Sequence, residues 1–375
     1  MTVRPLPALS AATSAAPEDL AREIVAIAGG NSGIDGAVLE ALFRAWSPNT
    51  RRAFRSDLMM WWRWCQGQGV RPAAADGPLA ARWVRALAGV DPSDEPTRAI
   101  ATIDRYLVHV GRAYRLAGLA DPTAAELVRL ELKAAKVEKR VRQRQAQALR
   151  FKGDIADLDS PATGFSLLAL LKACRRDALG YRDAALLRTA YDIGGRRSEL
   201  VAIQTSDIDG PDADGAGSLF IPVSKTDRTG EGAYAYLSPA TMAAIARWRA
   251  AAKIEGGALF RRVFTHFDGS IDRIGSEALH PNSVTLILKR LIGVAAERGY
   301  LGELSEAQVE RLTASVSSHS IRVGVAQDNF VAGEGLPAIM QAYRWKDPRT
   351  VMRYGAQLAA KSGASARLAK RMSES

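Results

Sequence analysis

The chain has 375 residues, 47 % hydrophobic and 24 % charged, which describes a soluble globular protein long enough for two cores. Fifty-one Lys and Arg against 40 Asp and Glu leave a net charge of +11. That excess points to a polyanionic partner, nucleic acid ahead of a membrane surface, and disfavours a basic protein or a neutral metabolite. Cys65 and Cys174 lie far apart without metal-ligand spacing and read as reduced, buried thiols of a cytoplasmic protein.

The start, Met1 to Pro17, is rich in Ala, Pro, Ser and Thr and lacks the apolar run of a signal peptide. It reads as a disordered tail, extended in the domain plan to residues 1–30. No later stretch approaches a membrane-spanning length. Ser47 and Pro48 form an N-cap and first-turn pair, after which Phe54, Leu58, Trp61, Trp62 and Cys65 recur at the spacing of one buried helix face. Leu79, Trp83, Val84 and Leu87 repeat the pattern. Ile100, Ile103, Leu107, Val110 and Tyr114 define a third helix that stops at Gly118. Arg98, Arg105 and Arg112 stand one heptad apart on that helix and predict a stripe, either DNA-facing or simply solvated. Residues 31–132 are therefore expected to be a helical domain.

Residues 133–153 read as a basic linker. Lys139, Arg140, Arg142 and Arg144 belong to a run with little apolar content, suited to lying along phosphates. From residue 154 to 375 the pattern is mixed. Phe165 to Cys174 and Arg182 to Tyr191 predict helices. Ser218 to Val223 and Ala233 to Leu237 predict a β-hairpin whose polar turn, Lys225 to Gly232, opens on a lysine. Helices follow, one with Val284, Ile287, Leu288 and Leu291 on its apolar face while Lys289 and Arg290 project elsewhere. The fold class is mainly α with a small antiparallel β-sheet.

Transfer of a phosphodiester to a side chain needs a nucleophile, donors for the non-bridging oxygens and a proton for the departing alkoxide. His319 and Arg322 share a helix face, and a guanidinium donates two hydrogen bonds to a phosphate while staying charged. Arg196, with Glu199 one turn on, offers a second such group and a carboxylate to steer it or His319. Trp345 has one indole N–H for a phosphate oxygen, and Lys225 a mobile acid on a long stem. Tyr354 is the candidate nucleophile, its phenolate favoured by nearby cations. Each residue alone is an ordinary surface or core feature.

Together, their order resembles the tyrosine recombinases, the phage integrase family: Arg196, a hairpin Lys225, His319-Ser-Ile-Arg322, Trp345 and a near-terminal Tyr354. The likeness runs through residues 319–328, 336–345 and 351–354, and upstream through 190–200, 145–151 and 47–50. It implies a two-domain, C-shaped DNA clamp. It also implies that Arg196 and Arg322 bind the scissile phosphate with His319 and Trp345 assisting, that Glu199 supports the site, that Lys225 is the general acid, and that Tyr354 forms a 3′-phosphotyrosyl bond. The implied partners are double-stranded DNA with inverted-repeat sites and further copies of the chain, two per site and four in a synapse that exchanges strands through a Holliday junction; a C-terminal helix near residues 364–372 would dock into a neighbouring subunit. No metal or other cofactor is implied. Gly194 and Gly195 depart from the leucines that the resemblance places there. An inactive DNA-binding protein of the same fold, a type IB topoisomerase and a telomere resolvase are the alternatives.

Overall fold

The computed structural model describes residues 16–27, 35–91, 95–139, 145–154, 159–222, 231–356, 358 and 363–373. They fall into two compact units, divided after Gln143.

In the first unit, α1 (Pro17–Ile27), α2 (Gly36–Arg44), α3 (Pro48–Gly67), α4 (Gly77–Ala88), α5 (Ile100–Leu116) and α6 (Glu126–Lys139) surround a tryptophan-rich core. Ser47 caps α3 by accepting from the Thr50 amide at 3.1 Å, ahead of a first-turn proline. Trp61 lies 4.9 Å from Trp83, which stacks on Tyr106. Each such burial contributes roughly 1.5–3 kcal/mol. The Trp61 indole donates to the Tyr114 hydroxyl at 3.0 Å, and that hydroxyl to the Pro72 carbonyl at 2.5 Å, so neither buried aromatic loses a polar partner.

Two expectations change here. Residues 17–27, assigned to the tail, form α1 with Leu20 and Ile24 fully buried, because these two side chains one turn apart complete the core. Residues 133–139, assigned to the linker, continue α6, whose Val128 and Ala135 pack inward. Two members of the arginine stripe take partners within their own unit while remaining exposed. Arg98 precedes α5 rather than riding on it. Arg105 holds the buried Asp57 with two bonds of 2.8 and 2.9 Å, and Arg112 stacks over Trp46 at 4.4 Å. His109 Nδ1 lies 2.7 Å from the same carboxylate, which together with Arg105 makes its burial tolerable.

The second unit contains α7 (Leu167–Ala173), α8 (Ala178–Ile193), α9 (Arg197–Ala202), α10 (Pro239–Ala252), α11 (Asn282–Glu297), α12 (Glu306–Ser315), α13 (His319–Ala332), α14 (Leu336–Ala342), α15 (Pro348–Gly355) and α16 (Ala364–Ser373). Strands β1 (Ile208–Asp209), β2 (Gly217–Ile221) and β3 (Ala233–Leu237) form an antiparallel sheet in that order, with Leu219 opposite Ala235. The hairpin turn bearing Lys225 lies outside the described residues. A second hairpin, β4 (Arg261–Thr265) with β5 (Ile271–Ala278), was not anticipated. Its strands bury little besides Val263, so they lack the apolar alternation that reveals a strand in sequence. Cys65 is fully buried, Cys174 partly so, and burial pushes both thiols up to about 12.

The second half of the expected linker is core. Leu149 donates to the Ser320 carbonyl at 2.9 Å where its chain crosses α13 at Gly324; a Cβ there would sit 1.8 Å from the Leu149 oxygen. Buried Arg150 meets buried Asp328 at 2.6 Å. Asp328 also accepts from the Phe151 amide at 2.7 Å and from the Tyr191 hydroxyl.

Candidate active site

Four of the expected residues converge on one small core formed by α13, α14 and α15. Val323, Ala326, Ile339 and Val351 surround Trp345 and Tyr354, both almost fully buried. The α13 helix supplies His319 in its first turn and Arg322 a turn later, so both address the same ring of Tyr354.

The Tyr354 hydroxyl lies 2.5 Å from His319 Nε2. Which of these two atoms carries the proton depends on the His319 tautomer. The Arg322 guanidinium is close enough to the phenol to act on its charge. Burial of the inner edge of His319 and the charges of Arg322 and Arg196 drive the imidazole down to about 4, so the ring is neutral at physiological pH, although the outer part of the residue remains exposed. Tyr354 behaves differently from the sequence expectation. Its pKa is raised, because desolvation outweighs the lowering by Arg322, Arg353 and Arg196. At neutral pH the DNA-free site holds a phenol in contact with a neutral imidazole.

Arg322 stacks over Trp345 at 4.8 Å and donates to the Gly194 carbonyl. The Trp345 indole N–H is buried and has no hydrogen-bond partner among the described residues. Such a donor is costly unless something outside the chain accepts from it.

Arg196 and Glu199 come from the start of α9. Glu199 accepts from the Arg196 amide at 3.0 Å and from its guanidinium at 2.7 Å, so the third residue of α9 closes the helix start. Arg197 is exposed, whereas Arg196 is close enough to depress both His319 and Tyr354. Gly194 ends α8 at φ +52°, and a Cβ there would lie 2.6 Å from Tyr343 Cδ1. This close approach accounts for the departure at that position. Tyr343 itself packs beside Trp345 and accepts from Asn329 Nδ2 at 3.0 Å.

Two of the other predicted DNA contacts have partners within their own units. Lys139 donates to the Arg98 carbonyl at 3.0 Å, Arg290 pairs with buried Asp183, and Lys289 is partly exposed on α11. Arg140, Arg142, Arg144 and the proposed acid Lys225 lie outside the described residues. Sequence reasoning missed Arg344, immediately before Trp345, and the Arg150–Asp328–Tyr191 network, whose members are 137 and 178 positions apart. No group of side chains that could hold a metal ion occurs among the described residues.

A buried tyrosine in contact with a neutral histidine and flanked by guanidiniums brings together the groups that phosphoryl transfer to a phenol requires. The chain belongs to the phage integrase family, whose model matches residues 163–361, and is a tyrosine site-specific recombinase. It is 26 % identical over 313 residues to an integrase/recombinase XerD homologue of Selenomonas ruminantium, covering 82 % of this chain and 81 % of that one. It is 28 % identical over 276 residues to the recombinase Cre of Escherichia phage P1, covering 72 % and 74 %. The fold resembles that of the Tn1549 transposon integrase in complex with transposon right-end DNA, at a TM-score of 0.51 and 11 % identity over 96 % of this chain and 98 % of that one. The XerH recombinase in its post-cleavage complex with palindromic difH substrate gives 0.50 and 13 %, over 96 % and 97 %. No helix among the described residues is long and apolar enough to cross a membrane.

Proposed function

We propose that this protein cuts and rejoins double-stranded DNA at specific sites with Tyr354 as nucleophile. The Tyr354 oxygen attacks the scissile phosphorus, its proton passes to His319 Nε2, and the bond to the 5′ oxygen breaks. Arg196 and Arg322 hold the non-bridging oxygens, with the Trp345 N–H as a further donor. Glu199 orients Arg196. Lys225 protonates the departing 5′ oxygen. The 3′-phosphotyrosyl bond conserves the energy of the broken one, so a 5′ hydroxyl from a second duplex reseals the strand by the reverse steps. The observation that carries this reading is the 2.5 Å contact between Tyr354 and a histidine driven well below neutrality.

Within the family we favour a Cre-like recombinase, on the uninterrupted match through residues 319–328, 336–345 and 351–354. It would act in the cytoplasm on inverted-repeat sites as a dimer per site and a tetramer in the synapse, exchanging strands through a Holliday junction. Helix α16 would join neighbouring subunits. The basic segment around Lys139, Arg140, Arg142 and Arg144, with Lys289 and Arg290, would contribute phosphate contacts.

The test uses a duplex selected on the full-length protein from a randomised pool, nicked so that cleavage cannot be reversed. A denaturation-resistant adduct is expected from the wild type and none from Tyr354→Phe. Binding without any adduct would favour an inactive DNA-binding protein, and relaxation of supercoils without strand exchange a topoisomerase. Hairpin-ended products would identify a telomere resolvase.

A further inference from the structure

Arg344 lies beside the site and has no task in the steps above. Its backbone takes φ +56°, a left-handed conformation that a side chain with a Cβ adopts only at a cost. Its side chain is partly buried. Nη2 donates to the Ile193 carbonyl at 3.3 Å, while Nη1 is buried and has no hydrogen-bond partner among the described residues. Burial holds the group below its ordinary range, with Glu199 opposing that effect and Arg196 adding to it, so both lie within electrostatic reach. A strained backbone and a desolvated cation are two penalties at one position, and a glycine there would incur neither.

The surroundings indicate what the residue does. Arg322 donates to the Gly194 carbonyl and Arg344 to the preceding one, so two guanidiniums hold successive carbonyls of the turn that delivers Arg196. Tyr343, the neighbour of Arg344, fills the space left by the missing side chain of Gly194. The Arg196 guanidinium is meanwhile engaged by Glu199 at 2.7 Å, a contact that competes with any phosphate.

We propose that Arg344 is a positioning residue for cleavage: it braces the turn at residues 193–196 and balances the charge of Glu199, so that Arg196 can turn its guanidinium onto the scissile phosphate. This rests on the assignment of Arg196 as a phosphate ligand made above.

The experiment measures single-turnover adduct formation on the nicked selected duplex at saturating protein, alongside DNA affinity and melting temperature. Arg344→Gly is expected to melt at or above the wild-type temperature, to bind DNA with unchanged affinity and to form adduct roughly tenfold or more slowly, as a misplaced binding group would cause. Arg344→Gln, which keeps the stem and a donor without the charge, should be slowed similarly, and Arg344→Lys should recover part of the rate. Wild-type rates in either the Gly or the Gln variant would overturn the proposal, as would a rate loss matched by a fall in melting temperature. Absence of adduct in the wild type would instead defeat the cleavage reading, and this inference with it.

Discussion

Replacing Asp328 by Ala should unlock the segment that crosses α13 and destabilise the catalytic unit more than any single active-site substitution. The carboxylate sits between Arg150 Nε at 2.6 Å, the Phe151 amide at 2.7 Å and the Tyr191 hydroxyl. Both Arg150 and Asp328 are buried, with side chains only 4 % and 8 % exposed, and Asp154 offers Arg150 a more distant carboxylate at 3.7 Å. Removing one partner of a buried pair typically costs about 3–5 kcal/mol, because the other charge stays desolvated. For a unit spanning residues 144–375, where each kcal/mol moves the melting temperature by roughly 2–4 °C, the loss corresponds to roughly 6–20 °C. The assay is calorimetry of the full-length protein, in which the transition of the second unit should move while that of the first stays in place. Arg150→Met paired with Asp328→Asn should recover part of the loss, since that pair leaves no unbalanced buried charge. A shift below about 2 °C for Asp328→Ala would refute the claim that this network holds the crossing segment to α13.

Other consequences follow from the same geometry. In the DNA-free protein the His319 imidazole should titrate well below 6.5, towards about 4, in an NMR pH titration. Because its folded pKa is depressed, the neutral form stabilises the fold above pH 6.5, and that contribution should fade as pH drops from there towards 4. A midpoint near 6.5 would mean the ring is not held in the site. Trp345→Phe keeps an aromatic face for Arg322 but deletes the unpartnered N–H, so adduct formation should slow about tenfold to a hundredfold with little change in melting temperature. Gly194→Ala forces a Cβ onto Tyr343 at a left-handed position and should destabilise the unit by roughly 2 kcal/mol or more in denaturant titration.

What could be read beforehand and what could not divide along physical lines. The cap at Ser47 and the faces of α3, α4 and α5 were legible because they depend on local spacing. Residues 319–328 and 345–354 stood out because their order and spacing resemble those of the tyrosine recombinases, no single side chain being diagnostic. Pairings across long sequence separations left no trace: Arg105, itself still exposed, ties to the buried Asp57, and Arg150 with Asp328 turns an apparent surface cation into an internal tie. The exposed β4–β5 hairpin carried too little apolar alternation to be seen. The direction of the Tyr354 shift depended on how deeply the ring is buried, and burial turned out to outweigh three neighbouring arginines. Arg344 could have been flagged only by its place beside Trp345, since its strain is a backbone property.

Tyr354 is expected to become covalently joined to DNA while a 5′ hydroxyl departs. Trapping the complex on a nicked duplex, digesting it and sequencing the modified peptide by mass spectrometry tests this directly. A 3′-linked nucleotide on Tyr354, together with a released strand ending in a 5′ hydroxyl, is the predicted result. A nucleotide on any other residue, or a free 3′ hydroxyl beside a 5′ phosphate, would contradict it.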